Sequence, residues 1–302
     1  MNIVNYNCVL QQTQSYGLKI NFIISNGSII RCPFIGDKPS KKSGWYIAWN
    51  VYISGSYMLI GFYGSWKNGL ERHSFKGDKD QFSQNKFEQY KKQVKKLLER
   101  EKVKQKIKYK KASIRAQSIF YKLTNNGYSE YCKNKKIKPI GNVKFYLGTL
   151  VIPVFKDDTI VSIQAITKTG FKKFLPGSKT AGGYFPIEGK GKVALVEGYA
   201  TGVTIHLATG WNIIVCFNTT GLVRVAPQLI GKDVVICSDN DFGTEARTGK
   251  NPGIEASNKA ARILKCKVLY PKESEIDLSI TDWNDVYCAK GIDYVRRKLL
   301  AK

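Results

Sequence analysis

The segment from Lys192 to Asp241, KVALVEGYATGVTIHLATGWNIIVCFNTTGLVRVAPQLIGKDVVICSDND, contains the two stretches that decide the fold. One is the apolar run Val193–Val196, and the other is Val234–Ser238. Such runs are typical of strands that are buried on both faces of a parallel sheet. A helical pattern at Thr201–Gly210 and a third apolar run at Asn212–Phe217 lie between them. This βαβ alternation predicts an α/β fold.

Acidic residues follow both of these runs. Glu197 comes directly after the first run, and Asp239 and Asp241 come after the second. Ligands of open α/β sheets bind at the carboxyl ends of the strands, and side chains two positions apart in an extended segment point the same way. Three carboxylates in one place repel one another unless a cation lies between them, and Mg²⁺ prefers oxygen ligands. We therefore expect a divalent metal site at this edge of the sheet.

The acidic residues and their flanks match a known family. Glu197–Tyr199 after one strand and Asp239–Asp241 after another resemble the Toprim domain, which DnaG-type primases, topoisomerases and some nucleases share. Asn251–Ala256, which opens a helix, and Asp282–Asp285 further along resemble the primases of conjugative plasmids and phages in particular. The resemblance covers most of the chain, from about Gly17 to the end.

The resemblance implies an α/β architecture, α+β overall, in which a Rossmann-like parallel Toprim sheet follows a mixed basic subdomain and a small β-rich N-terminal module. We expect the β-rich module at residues 1–80 and a basic helical linker at 81–125. The basic N-terminal part of the primase core is expected at 126–190, and the Toprim catalytic domain with its C-terminal helices at 191–302.

The resemblance also implies roles for the acidic residues. Glu197, Asp239 and Asp241 are the expected catalytic residues, and they are expected to hold two Mg²⁺ or Mn²⁺ ions. Asp285 is a further expected metal ligand, alone or paired with Asp282, and the alternative for Asp282 is an N-cap of the last helical segment. No segment resembles the zinc-binding module of replicative primases, so no zinc is expected.

A basic hairpin segment precedes the Toprim region and resembles the segment that faces the metal site in DnaG-type primases. Lys168, Lys173 and Lys179 in this segment are the residues that we expect to bind nucleotide phosphates. Lysine is a common point-charge ligand of phosphate. The alternative is that these are ordinary exposed lysines of a hairpin.

The net charge of +26 points to a polyanionic partner, most simply nucleic acid, although a solubility surface is the alternative. Basic residues are concentrated between Lys86 and Lys111, where apolar residues recur at helical spacing, and this pattern predicts a basic helix. We expect the helix to hold a single-stranded DNA template, with a merely solvated face as the alternative. The lysines expected to bind nucleic acid are Lys91, Lys92, Lys95 and Lys96.

Residues 17–75 predict an antiparallel β module that includes a hairpin at Asn26-Gly27. Trp45 and Trp66 in this module lie near basic residues and are candidates for stacking on single-stranded bases. The alternative is that these aromatic residues fill a small β core.

The sequence has no run of about 18 apolar residues and no secretory signal at its start, so we expect a cytoplasmic protein with no membrane partner. Its seven cysteines are scattered, which is typical of reduced thiols in the cytosol. No Walker-type phosphate-binding loop is present, so we expect any replicative helicase to act in trans.

Taken with the resemblance, these features predict a DNA primase. Such a nucleotidyltransferase synthesises short primers on single-stranded DNA from nucleoside triphosphates by a metal-ion mechanism. Two alternatives remain open. One is a Toprim metal-dependent nuclease, and the other is a non-catalytic single-stranded-DNA-binding protein of replication or conjugation.

Overall fold

The computed structural model describes residues 3–53, 55–68, 71–75, 84–275 and 277–301, with side chains described throughout except at 68, 84–91 and 274–275. The chain divides into two units, residues 1–104 and 105–302. The finer division into four parts that the sequence suggests stays a prediction. Within the described ranges, no helix is both long and apolar enough to cross a membrane.

The first unit is built on an antiparallel sheet in the order β1-β2-β3-β4. Its elements are α1 (Tyr6–Ser15), β1 (Ile30–Cys32), β2 (Gly44–Ile53), β3 (Ser56–Ser65) and β4 (His73–Ser74). Strands β2 and β3 pair along their whole length. Because successive strand residues point to opposite faces, Tyr46 and Ala48 of β2 are both buried, and they join Val9 and Leu59 in a small core.

The hairpin predicted at Asn26-Gly27 is wrong. In the described part of the chain no strand begins before Ile30. Asn26 instead forms an isolated antiparallel bridge with Trp49 of β2, and the N–H of Gly27 donates to the carbonyl of Ala48 at 2.9 Å. Asn26 and Gly27 therefore contact the distant strand β2, and residues 22–25 form no strand.

Helix α2 (Gln84–Lys122) is continuous over 39 residues; it begins in the first unit and ends in the second. Its sequence contains neither Gly nor Pro, so no residue interrupts the helical hydrogen bonds. In the second unit, Ala116 and Phe120 lie one helical turn apart and are buried with Val151 and Ile163. The predicted basic helix is thus present and longer than the basic run itself.

The second unit contains two sheets. The first is antiparallel, in the order β5-β6-β7-β8, and helix α3 (Glu130–Asn134) precedes it. Its strands are β5 (Lys144–Tyr146), β6 (Thr149–Lys156), β7 (Thr159–Ile166) and β8 (Lys172–Phe174).

The other sheet has the order β13-β12-β10-β11-β9. Its strands are β9 (Phe185–Ile187), β10 (Val193–Val196), β11 (Asn212–Val215), β12 (Val234–Cys237) and β13 (Val268–Leu269). Strands β10 to β13 are parallel, and only β9 runs antiparallel to its neighbour. Both predicted apolar runs are therefore central strands of a parallel sheet, and the α/β fold class is confirmed.

Helices cover both faces of this parallel sheet. They are α4 (Tyr199–Thr209), α5 (Thr219–Val225), α7 (Pro252–Leu264), α8 (Trp283–Lys290) and α9 (Ile292–Leu300), whereas the short helix α6 (Phe242–Thr248) buries none of its residues. Ala194 and Val196 of β10 are buried with residues of α4, α8 and α9, whereas Leu195 is buried with residues of α5 and α7. A strand that is buried on both faces carries apolar residues at every position, as this sequence does.

Candidate active site

A cavity of about 490 Å³ opens at the carboxyl ends of β10 and β12. The turn between β7 and β8, strand β8, helix α3 and the start of helix α8 complete its wall. Its charged lining residues are Lys135, Lys168, Lys172, Glu197, Asp239, Asp282 and Asp285. Acidic and basic side chains from distant parts of the sequence thus meet in one space.

Glu197 is held by the turn between β10 and α4. The N-cap residue Gly198 is extended, and the carbonyl of Glu197 accepts a hydrogen bond from the N–H of Phe217 at 2.8 Å. Burial raises the pKa of the Glu197 carboxyl, the nearby Asp241 raises it further, and Lys172 opposes this in part. The ionised form is therefore disfavoured here unless a cation comes close.

Asp239 follows β12, and its Oδ1 atom is buried without a hydrogen-bond partner among the described residues. Burial raises the pKa of Asp239 well above its ordinary value, the carboxyls of Asp282, Glu197 and Asp241 raise it further, and Lys172 lowers it. A buried carboxylate oxygen without a donor is costly to the fold. This atom is available as a ligand for a cation.

Asn240 and Asp241 are fixed by the start of α7 rather than by the cavity. The side chain of Asn251 donates to Asn240 Oδ1 at 2.8 Å, and the N–H of Gly253 donates to Asp241 Oδ2 at 3.0 Å. A Cβ on Gly253 would lie 2.6 Å from the carbonyl oxygen of Asp239, so only glycine permits this close approach. Asp241 is close enough to raise the pKa of Glu197, but it is not among the residues that line the cavity.

Asp282 and Asp285 form a capping box at the start of α8. Asp282 Oδ1 accepts hydrogen bonds from the N–H groups of Asn284 at 2.7 Å and Asp285 at 2.9 Å. Asp285 also accepts from Lys135 Nζ at 2.9 Å and from Thr281. Burial alone would raise the pKa of Asp285, but these hydrogen bonds and the lysine charge lower it.

Asp282 therefore differs from Asp285 in its electrostatic role. Burial and the neighbouring Asp285 raise the pKa of Asp282, although Lys135 opposes them. Among carboxyl groups, Asp282 is the one that raises the pKa of Asp239 most. The sequence predicted Asp285 as a metal ligand, alone or paired with Asp282, with an N-cap as the alternative for Asp282. The N-cap is confirmed at α8, Lys135 binds Asp285, and Asp282 lies close enough to Asp239 to raise its pKa. In the sequence, the only signal was that both acids belong to one motif.

The predicted nucleotide-binding lysines occupy three different environments. Lys168 lines the cavity, but neither Lys173 nor Lys179 is among its lining residues. Lys173 lies between Lys172 and Phe174 on β8, so its side chain points to the opposite face from Lys172. Lys179 Nζ lies 5.9 Å from the ring centre of Tyr109. Lys172, beside the predicted Lys173, is the β8 lysine that faces the carboxyl groups.

The cavity fits a hard divalent cation in an open site. Among the described residues, no group of three or more His, Cys, Asp or Glu side chains is arranged so that it could hold a metal ion by itself. Glu197, Asp239 and Asp282 nevertheless offer oxygen donors to one cavity, and Oδ1 of Asp239 has no other partner there. Because Mg²⁺ in proteins usually keeps several waters and takes only one or two carboxylates plus substrate phosphates, an incomplete set of protein ligands is compatible with this ion.

The predicted nucleic-acid-binding residues lie in the first unit. The rings of Trp45 and Trp66 pack edge to face with their centres 5.2 Å apart, and the guanidinium of Arg31 lies 5.2 Å from the ring centre of Trp66. Trp66 is 45% exposed. On α2, Lys92, Lys95 and Lys96 are exposed, and the side chain of Lys91 lies outside the described residues.

Comparison with known families identifies the parallel-sheet region. Residues 192–293 match the Toprim domain family. This range begins just before β10 and includes Glu197, Asp239 and Asp282, three of the carboxyl groups that line the cavity.

Two curated relatives are proteins of Escherichia coli named DNA primase TraC. One is 31% identical over 120 residues and the other 30% identical over 120 residues, and each match covers 36% of this chain. The chain matches only 8% and 11% of the lengths of these relatives. Among solved structures, the primase fragment of the bacteriophage T7 primase-helicase protein matches with a TM-score of 0.37 and 13% identity, over 52% of this chain and 66% of that chain. Residues 192–293 therefore match the Toprim domain, and the resemblance of this part of the chain to Toprim primases of plasmid type is confirmed.

Proposed function

We propose that the protein is a DNA primase that synthesises short primers on single-stranded DNA from nucleoside triphosphates. One observation carries this proposal. The Toprim domain of a chain similar to plasmid primases holds a cavity in which poorly neutralised carboxyl groups, Glu197, Asp239 and Asp282, meet Lys168 and Lys172. This is the charge arrangement that a metal ion and a triphosphate need.

In this proposal, Glu197, Asp239 and Asp241 hold two Mg²⁺ or Mn²⁺ ions. Asp282 takes the supporting place that the sequence assigned to Asp285, because Asp285 is already bound by Lys135. The chemistry that such ions supply when bound is activation of the primer 3′-hydroxyl and stabilisation of the pyrophosphate leaving group.

The lysines of the cavity serve the triphosphate. A nucleoside triphosphate carries about four negative charges, and phosphoryl transfer depends on preorganised cations around them. Lys172 lowers the pKa of both Glu197 and Asp239, so its positive charge acts on the same space as the carboxyl groups. Lys168 lines the same cavity and adds a second positive charge.

Template binding is assigned to the first unit and to α2, where Trp66 and the exposed lysines Lys92, Lys95 and Lys96 are accessible. Stacking on aromatic rings and contacts between lysines and phosphates are both independent of base sequence. A replicative helicase acting in trans is the partner that would supply single-stranded template.

The proposal is tested with the wild-type chain, single-stranded DNA, all four nucleoside triphosphates and Mg²⁺ or Mn²⁺. We expect short new strands whose appearance depends on both template and metal. Metal-dependent cleavage of the DNA without nucleotide incorporation would instead identify a Toprim nuclease. Tight binding without synthesis or cleavage would identify a non-catalytic single-stranded-DNA-binding protein.

A further inference from the structure

The edge of the antiparallel sheet in the second unit carries exposed aromatic side chains outside the cavity. Tyr128 is 64% exposed, Tyr146 on β5 is 60% exposed, and the adjacent Leu147 is 88% exposed. We call these three residues, together with Lys144, the tyrosine surface. No step in the proposed chemistry uses it.

Local packing brings the parts of the tyrosine surface together. Thr124 forms an antiparallel bridge with Phe145, whose N–H donates to the Thr124 carbonyl at 3.0 Å. A Cβ on Gly127 would lie 2.5 Å from Cβ of Phe145, so the loop that carries Tyr128 packs directly on β5. Tyr128 Oη lies 3.6 Å from the position that a Cβ on Gly148 would take, which places its ring beside the turn after Tyr146.

A polar cleft of about 590 Å³ adjoins the tyrosine surface. Asn125, Asn126 and Asn142 line it, and Phe145 forms part of its wall. Lys144, on the same face of β5 as Tyr146, donates a hydrogen bond from Nζ to Oδ1 of Asn125. Amide side chains offer both donors and acceptors, which are the groups that the edges of unpaired bases require.

The charged residues in the two chain segments that form the tyrosine surface are all basic. The segments 121–128 and 138–148 contain Lys122, Lys138 and Lys144 and no Asp or Glu. A surface that combines exposed aromatic rings, amides and unopposed lysines suits a flexible polyanion with planar rings. A protein partner is less favoured, because Leu147 is the only exposed large aliphatic side chain in these two segments.

We propose that the tyrosine surface binds single-stranded nucleic acid, with bases stacked on Tyr128 and Tyr146, phosphates near Lys144 and base edges in the asparagine cleft. This inference rests on the proposed function, since it takes a single strand as the substrate, and it adds a second binding site within the catalytic unit. Strands β5 and β8 are the opposite edges of one four-stranded sheet, so about 14 Å of sheet separates the tyrosine surface from the β8 lysine of the cavity.

The first test measures binding of a fluorescent oligo-deoxythymidine to the full chain. All variants carry Asp239→Asn, because binding can be measured in a chain that is expected not to synthesise primers. Loss of one stacking contact between a base and an aromatic ring typically weakens binding roughly 5- to 150-fold. Because Tyr128→Ala and Tyr146→Ala together remove two such contacts, we expect the double variant to bind at least about 25-fold more weakly. The pair Tyr128→Phe and Tyr146→Phe retains both rings and should bind within about twofold of the background. Ile230→Ala, at a 65% exposed position of the same unit, controls for truncation of a surface side chain.

The second test locates the contact without relying on variants. The same oligomer with 5-iododeoxyuridine is photo-crosslinked to the protein, which is then digested with trypsin. We expect crosslinks in the peptides of residues 123–133 and 145–156, which contain Tyr128 and Tyr146. Unchanged affinity of the alanine pair, or crosslinks that avoid both peptides, would overturn the proposal. If the alanine pair weakens binding and the crosslinks lie in these peptides but the wild-type protein makes no primers, the proposed function is contradicted and the proposed binding site is supported.

Discussion

At the scale of the residue, the cavity concentrates carboxyl groups that its lysines do not neutralise. Glu197, Asp239 and Asp282 all have raised pKa values, with burial as the first cause in each case. Lys172 lowers the pKa of the first two only in part. Holding ionised carboxyl groups in such a place costs folding free energy. Residues retained at a cost to stability are typical of functional sites.

Replacing Asp239 by asparagine should therefore stabilise the metal-free protein. Asp239→Asn keeps the shape of the side chain and removes the charge that Asp282, Glu197 and Asp241 repel. Each 1 kcal/mol gained should raise the unfolding midpoint by about 2–4 °C in a unit of this size. The measurement is thermal unfolding in the presence of a chelator. Asp233→Asn is the matched control, because Asp233 is exposed and its ion pair with Lys192 lies on the surface, where such pairs contribute little. A lower midpoint for Asp239→Asn than for the control would contradict the account.

The difference in stability between Asp239→Asn and the wild type should depend on pH. Between about pH 4, the ordinary range of a carboxyl group, and the raised pKa of Asp239, the folded wild type binds more protons than the unfolded chain. Its stability therefore falls as pH rises through this window, and the variant lacks this loss. We expect the difference in unfolding free energy to be near zero at about pH 4 and to grow toward neutral pH. A difference that stays constant over this range would show that charge is not its cause.

The two neighbouring lysines of β8 should behave differently. Lys172→Ala removes the positive charge that faces the carboxyl groups, so we expect the nucleotide concentration for half-maximal synthesis to rise about tenfold, which corresponds to about 1.4 kcal/mol. Lys173→Ala, on the other face of the strand, serves as the matched control and should change this concentration less. Template affinity, measured separately, should be similar for both variants. A larger nucleotide effect for Lys173→Ala would support the original sequence prediction instead.

At the scale of the element, strand register and helix ends decide which of two similar residues faces the site. Residues 172 and 173 are both lysines, so the sequence does not distinguish them. In the structure, Lys172 of β8 pairs with Ile166 of β7 and Lys173 pairs with Ala165, and this register determines which lysine side chain points to the cavity. Asp282 and Asp285 are both aspartates of one motif. In the capping box at the start of α8, Asp282 is the N-cap, and Asp285 is the residue that binds Lys135. The choice between the two lysines could not be made from local sequence, because it depends on where a distant strand packs. The N-cap role of Asp282 was among the alternatives that the sequence left open, and it is confirmed at α8, the helix before the last.

The basic part of α2 makes a testable contribution to nucleic-acid binding. Each phosphate contact on a single strand adds about −0.7 to the slope of log affinity against log salt. Replacing Lys92, Lys95 and Lys96 together by glutamine should therefore flatten the slope by up to about 2. Salt titrations with a single-stranded oligomer measure this slope. The control carries the same charge change at three exposed lysines of the Toprim domain, Lys232, Lys259 and Lys267. If the two triple variants have equal slopes, this part of α2 is a solvated surface that makes no specific contact with the nucleic acid.

At the scale of the whole molecule, the sequence predicted the parallel sheet correctly, and Glu197 and Asp239 follow its strands β10 and β12 as expected, whereas Asp241 does not line the cavity. Val193–Val196 and Val234–Cys237 are central strands, and such strands leave a continuous apolar signal in the sequence. The segment before Asn26-Gly27 was misassigned as a strand because a short apolar run does not by itself specify strand pairing. The gathering of Lys135, Lys172 and Asp282 around one cavity could not be predicted, since it depends on the packing of three separate elements.

The most direct test of the central claim is primer synthesis by three purified forms of the full chain: wild type, Asp239→Asn and the surface control Asp233→Asn. Each is incubated with single-stranded DNA, nucleoside triphosphates and Mg²⁺, and new strands are resolved by length, after thermal unfolding has shown that all three are folded. The account predicts template-dependent short strands from wild type and Asp233→Asn and none from Asp239→Asn. Strands of equal yield from Asp239→Asn would contradict it, because synthesis would then not depend on the buried carboxyl group of the cavity.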